Sequence, residues 1–426
     1  MTSRKLNNRK ARRAASRGRK RTILASLTSA AMALLGPVAN SQAAGPVEKF
    51  GVAYAFSDYR EDSIKKSKFS GIGERSRYKI DTHQVSLEAP LIDRADIGFD
   101  FIYESMSGAT PWFVLPALDD TSKSVQAMSG ATVTEKRYDA SVRGNYYFDN
   151  ARAGANVGVS KENDYLAVFA GINGEYYFNE KNTTVTGGFA FSIDEIKPTE
   201  GSTPIGTDKD DKQSINLNAG VSQILNRETV AQLSLAYKHS RGFLSDPYKR
   251  AFILQFGDLG VPDTVPDSRP DERNQVSVLA QLRRHFESTN ASLHANYRLH
   301  YDDWDITSHT FELRWAQSLY DDLIQLTPHF RYYSQSQADF YEPFYTTERS
   351  DGLASSDYRL SPYGSFIFGA SLGFRLEQWP FWFDWRIAAN YERHMADADF
   401  ALVKVNVENP GLVNYHFTYV TLEAKF

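Results

Sequence analysis

Three stretches of the chain carry ionisable side chains on alternate residues: His294, Arg298 and His300; Glu312 and Arg314; His329 and Arg331. Alternate residues share a side only in an extended strand. Each stretch therefore reads as one strand with its charges on one face, and adjacent strands bring those charges within reach of one another. Such a set can form a constriction that screens solutes by charge and size, as rings of charged residues do in pores. It can equally form an Arg/Glu/His network that hydrates or plugs a bore and holds its wall together. A metal site from His294, His300 and His329 is a third use, but nothing in the spacing fixes a ligand geometry.

Catalysis finds little support. No His-Glu-x-x-His, no phosphate-binding loop and no Gly-x-Ser-x-Gly elbow is read in the chain, and no nucleophile pairs with a base. The absence of cysteine from all 426 residues excludes disulfides, zinc–thiolate sites, cysteine catalysis and a lipid-modified N-terminal cysteine. The expectation is a protein that is not an enzyme, with no catalytic residue, cofactor or metal site. A barrel-embedded hydrolase of lipid or polysaccharide is an alternative without a supporting motif.

The elements that hold these charges alternate almost throughout. In 165–178, Leu166, Val168, Ala170, Ile172, Gly174, Tyr176 and Phe178 fall on one face, and Asn173 and Glu175 on the other. The same division recurs in 133–148, 290–302, 306–319 and 381–395, with Arg143, Arg298, Glu312, Asp384 and Arg386 opposite the apolar side. A helix would scramble this pattern. The runs reach about twelve to sixteen residues, against the five or six usual in globular strands. A tilted strand needs about ten residues to cross a bilayer. Apolar faces often end in Tyr, Trp or Phe, as the interfacial girdles of membrane barrels do.

Mean hydropathy is −0.46, and no apolar run beyond the N-terminus reaches the ~18 residues of a spanning helix. That excludes a helical membrane protein but not a barrel, whose alternating strands average to polar. Short connections are expected near 91–93, 149–150, 179–182, 226–228, 287–289, 320–322 and 377–380. Eight outer loops alternate with them, at 61–74, 107–132, 161–164, 196–211, 241–271, 303–305, 338–361 and 396–411. Seven turns and eight loops give an all-β, antiparallel up-and-down transmembrane barrel of about sixteen strands. A soluble sandwich would have to bury the charged face of every strand in a dry core, which is prohibitive.

Residues 1–21 hold ten Lys or Arg and no acid, Thr22 to Leu35 is apolar or small, and Ser41-Gln42-Ala43 suits a cleavage site. That order predicts a cleavable secretory signal peptide over 1–43 and a barrel over 44–426. Without the ten basic residues the net charge is near −14, which argues against a nucleic-acid partner. The chain ends in Phe426, with Ala424, Leu422 and Val420 at every second position before it. Leu422 and Phe426 thus resemble the last-strand signal read by the outer-membrane insertion machinery. The expected partners are outer-membrane lipid, that machinery and a periplasmic or surface protein.

Four motifs lie at the outer strand ends. The first is Ser107-Gly108-Ala109-Thr110-Pro111, echoed by Ser129 to Thr132; the second is Gly242 to Lys249. The third is Asp302-Asp303-Trp304 with Ser308-His309-Thr310. The fourth joins Arg331 to Ser336, Ala338 to Tyr341 and Ser356-Asp357-Tyr358-Arg359-Leu360-Ser361. As a set they resemble the domain-of-unknown-function family 3570 of Gram-negative outer-membrane barrels, from about residue 50 to the C-terminus. The resemblance implies a barrel and an envelope location, and supplies no activity, ligand or catalytic residue.

Ser107, Gly108 and Pro111 have the composition of a turn. The following Trp112 and Phe113 open a stretch too apolar to stand in water, so it is expected either to fold into or across the mouth or to pack on neighbouring loops. Asp246 shares its loop with Asp258, Asp263, Asp267, Asp271 and Glu272, but without calcium-loop spacing a solvated acidic loop is expected. The reading is a channel for small hydrophilic solutes or an exported product, with a plugged, non-conducting barrel as the alternative.

Overall fold

Period-two alternation becomes one continuous sheet wrapped onto itself. The computed structural model describes residues 45–118, 120, 123–129, 133–198, 209–256, 262–376 and 384–426. The expected signal peptide and the turn at 377–380 lie outside them, as do Phe381, Phe383, Asp258 and most of the Ser129–Thr132 echo. Strands one to eight are Gly51–Glu61, Lys79–Ile92, Ala95–Gly108, Val133–Tyr147, Ala151–Lys161, Tyr165–Phe178, Thr183–Ile196 and Asp210–Asn226. Strands nine to sixteen are Thr229–Gly242, Glu272–Phe286, Ala291–Asp302, Thr307–Leu319, Ile324–Gln335, Tyr363–Leu376, Asp384–Asp397 and Tyr415–Lys425. Each pairs antiparallel with its sequence neighbours, and the first pairs with the last, from Gly51↔Lys425 to Glu61↔Tyr415. The barrel is closed, which leaves no unpaired edge.

The apolar faces point outwards. Ile172 is 62% exposed, and Val168, Val157, Leu233 and Phe368 are each half exposed. Glu175, Tyr177 and Ala167, on the other face of the sixth strand, are buried. Aromatic residues bound the apolar zone. Tyr146–Phe148 and Tyr176–Phe178 pack at the short-turn end. Nearer the loops, Tyr54, Tyr297 and Tyr391 each share a hydrogen bond of 2.7–2.8 Å with a histidine on the next strand: His83, His309 and His416. From Tyr138 to Phe148 a strand rises about 34 Å, or about 26 Å at a 40° tilt, close to the ~25 Å apolar band of outer-membrane barrels.

The only apolar cores among the described residues sit in the loops. One joins Trp304, Ile306, Phe340, Tyr341 and Leu360; others centre on Ile253 and Tyr345, on Ile64 and Met128, and on Phe113 and Phe252. Two loops carry small sheets of their own, Pro111–Pro116 with Ser124–Met128 and Arg250–Phe256 with Pro262–Pro266.

Candidate functional site

The strands set the charged residues in rows across the inner wall. Register aligns Arg283, His294, Arg314 and His329 on strands ten to thirteen. One pleat towards the loops lie Gln281, Asn296, Glu312 and Arg331, and then Leu279, Arg298, Thr310 and Tyr333. Glu312 is the hub. Its carboxylate accepts from Arg314 Nε at 2.6 Å and from Arg331 Nε and Nη2 at 2.8 and 2.6 Å. His329 pairs with Glu392 at 3.1 Å.

The structure therefore joins Glu312, Arg314 and Arg331 directly, sets His329 and Arg298 in the rows on either side of Glu312, and places His300 one row beyond Arg298. That residue sits three pleats further out than Arg314, beside Ser277 and 3.6 Å from Asp302. Arg314 stands between His294 and His329 in the register, so these three histidines cannot share one ion. Among the described residues no group of three or more candidate metal ligands converges.

Sequence reasoning passed over Gly369-Ala370-Ser371-Leu372-Gly373, which fits Gly-x-Ser-x-Gly. All five residues pair in register within the fourteenth strand. The pattern here is plain strand, not the strained strand-to-helix turn that exposes a nucleophile.

The outer mouth holds the second constellation. The stretch Pro111–Pro116 leaves between strands three and four, yet Phe113 packs on Phe252, which leaves between strands nine and ten. Six strands separate those exits in a barrel of sixteen, so the contact spans the bore. Trp112 and Phe113 lie in this inter-loop cluster, packed on a loop that leaves the barrel on the far side. Gly108 makes the turn into it at φ +144, where a Cβ would meet the Arg77 carbonyl at 2.5 Å.

Other loops lock onto this hairpin. Ser70 N donates to Gln126 O at 3.0 Å and Ser124 Oγ to Glu408 O at 2.6 Å. Tyr345 N donates to Phe252 O at 2.8 Å. Asn409 Nδ2 donates to Tyr341 Oη and Ser356 O, both at 2.9 Å. Asp302 accepts from the Trp304 and Ile306 backbone, and Arg273 lies 4.2 Å above the Trp304 ring. The four sequence motifs are thus joints of a single cap.

At its centre three acids meet three bases. Asp357, fully buried, accepts from Lys249 Nζ at 2.7 Å, Arg359 Nε at 2.8 Å and Arg269 Nη2 at 2.9 Å. Asp267 takes Arg269 Nε at 2.7 Å and the Ser355 hydroxyl, and Asp246 takes Arg359 Nη2 at 2.7 Å. The expectation of a solvated acidic loop fails here: Asp246 and Asp267 are held among cations from two loops. Burial opposes the charge on Asp357, but Arg359, Lys249 and Arg269 outweigh it and hold its carboxyl well below the usual range. Burial also opposes the charge on Asp246, and Lys249 and Arg359 again win. The stability these two carboxylates contribute is present at neutral pH and is lost only as pH falls below the ordinary carboxylate range of about 3.9.

Comparison with known proteins gives fold-level likeness at low identity. The structure titled "Bacterial polysaccharide outer membrane secretin" is 10% identical, with 89% of this chain and 98% of that one covered and a TM-score of 0.46. OpdK of Pseudomonas aeruginosa, solved with vanillate, is 8% identical over 90% of this chain and all of that one, at 0.41. A FadL homologue of Pseudomonas aeruginosa is 12% identical over 89% and 90%, at 0.37. No curated protein matches the sequence. The family model described as "Protein of unknown function (DUF3570)" matches residues 24–399, from the apolar stretch after the basic N-terminal segment to just past the fifteenth strand. Most of the sequence falls inside that match, and the chain belongs to the DUF3570 family.

Proposed function

We propose that this protein is an outer-membrane channel for small hydrophilic solutes whose outer mouth is closed by the loop cap. The observation that carries the reading is the inversion of the wall: exposed Leu, Ile, Val and Phe outside, Arg, Glu, Asp and Asn inside. Water on both faces would leave the outer surface without a partner, whereas lipid outside and water inside suits both. A sixteen-stranded barrel leaves room for an aqueous bore.

Deleting 109–127 removes the hairpin that spans the mouth and leaves the strands on either side intact. Purified protein in planar bilayers is expected to show small or rare conductance steps, and the deletion variant larger and more frequent ones. The cap itself favours a second reading, a plugged barrel that docks an envelope partner. Electrical silence of both forms across all voltages would favour that reading and remove the channel. Neither reading assigns the chain an enzymatic step.

Export through a cleaved signal peptide and assembly by the outer-membrane insertion machinery belong to the same proposal. Phe426 donates its N–H to the Phe50 carbonyl at 2.9 Å and packs on the Phe50 ring, at the seam between first and last strands. Removing Phe426 takes this hydrogen bond and ring contact from a rim that Gly51↔Lys425 pairing already holds. The variant is expected to assemble more slowly in pulse-chase experiments, yet to unfold like the parent once assembled. Normal assembly would end the terminal-signal assignment.

A further inference from the structure

The inner wall is unevenly charged around its circumference. On strands three to six the acids come with bases: Arg143 with Asp100, Arg137 with Glu104 at 3.3 Å, and Arg152 with Glu175 at 2.6 Å. Asp96, Glu135 and Asp139 are extra. Asp96 takes its hydrogen bonds from Asn145 and Tyr147 rather than from a cation. That wall carries a negative surplus of three. On strands ten to thirteen the register lines up Arg283, Arg298, Arg314 and Arg331 around one acid, Glu312. That wall carries a positive surplus of three. The fourth and eleventh strands are seven apart in a ring of sixteen, so the two walls face each other across the bore.

Arg298 stands apart within the positive wall. Arg314 and Arg331 direct their guanidinium groups to Glu312. Arg298 faces the bore between Leu279 and Thr310, and among the described residues no carboxylate lies within salt-bridge distance of it. A guanidinium is a planar fork that matches a carboxylate through two parallel hydrogen bonds. With one fork presented and its neighbours engaged, the match is to one carboxylate group of a ligand.

We infer that this wall makes the bore prefer anions and binds small organic carboxylates at Arg298. The inference rests on the channel reading for its permeation half only; binding can be read without current.

Two measurements separate the outcomes. In the 109–127 deletion background, reversal potentials in a potassium chloride gradient are expected to show chloride preferred over potassium. Arg298→Gln is expected to lower that preference about fivefold, the effect of one unit charge at contact distance in water. Titration calorimetry of the full-length protein in detergent micelles with succinate is expected to show saturable binding, lost in Arg298→Gln. Arg298→Lys, which keeps the charge without the fork, is expected to keep the anion preference and weaken succinate binding. Retained heat-modifiable gel mobility shows that each variant is folded. A conducting but cation-preferring or unselective bore, or succinate binding unchanged in folded Arg298→Gln, overturns the inference and leaves the channel standing. Succinate binding lost in Arg298→Gln while no form conducts supports the site and removes the channel.

Discussion

Asp357→Asn is expected to open the cap while leaving the barrel closed. Asp357 is fully buried and takes hydrogen bonds from Lys249, Arg269 and Arg359. The amide keeps the shape and loses the charge, so a balanced group of three acids and three bases becomes a buried site with one cation in excess. Removing one partner of a buried ion pair typically costs about 3–5 kcal/mol, because the remaining charge is left without compensation. That is about two to four powers of ten in the closed-to-open ratio of the loops. None of the sixteen strands contributes a member to this group, so the strand ladder gives the barrel a separate stability. The measurement is limited proteolysis of 243–271 and 336–362 together with single-channel recording. Cleavage and open probability should both rise steeply in Asp357→Asn, while heat-modifiable mobility stays that of the parent. Unchanged protease resistance would mean that the apolar contacts of Phe113, Phe252 and Tyr345 hold the cap without the charges.

Legibility in the sequence divides along the same line as the structure. Strands were readable because lipid and water sort side chains at every second position, a signal repeated within each strand. Sixteen strands, and turns such as 179–182 and 226–228, follow from it, with errors of a residue or two where Lys79–Ile92 runs on into its turn. The rows Arg283–His294–Arg314–His329 and Glu312–Arg331 needed one thing more. Each strand shows which residues face inwards, but the stagger between strands decides which of them meet, and a single strand does not encode it. Hence which residues flank His300, the next inward residue after Arg298, is set by register, which puts it between Ser277 and Ser308. The cap was least readable. Lys249 and Asp357 are joined by loops more than a hundred residues apart, and loop folds have no period. What the sequence did offer was a mixture, apolar stretches such as Trp112 to Leu115 beside charged turns such as Asp357-Tyr358-Arg359. That mixture marks a loop that folds on other loops rather than one that floats in water.

Ile172→Arg tests the lipid side of the wall, on which the outer-membrane assignment depends. Ile172 is the eighth of fourteen residues in Tyr165–Phe178 and lies between Ala155 and Phe189 on the neighbouring strands. It is 62% exposed on the outward face, about midway along its strand. On a water-soluble protein an exposed substitution of this kind changes stability by about 0.5 kcal/mol or less. At the midplane of a bilayer an arginine on the lipid face costs about 2–4 kcal/mol. The two environments predict effects that differ several-fold at one position, so the outcome does not depend on fine geometry. Gln84→Arg serves as the control, since Gln84 points into the bore beside Ala55 and Ile102, where an added cation meets water. Urea unfolding of the protein folded into phospholipid vesicles should show a loss of about 2–4 kcal/mol for Ile172→Arg and little for Gln84→Arg. Equal, small effects at both sites would place water rather than lipid against the sixth strand, and the apolar outer face would then need a protein partner to cover it.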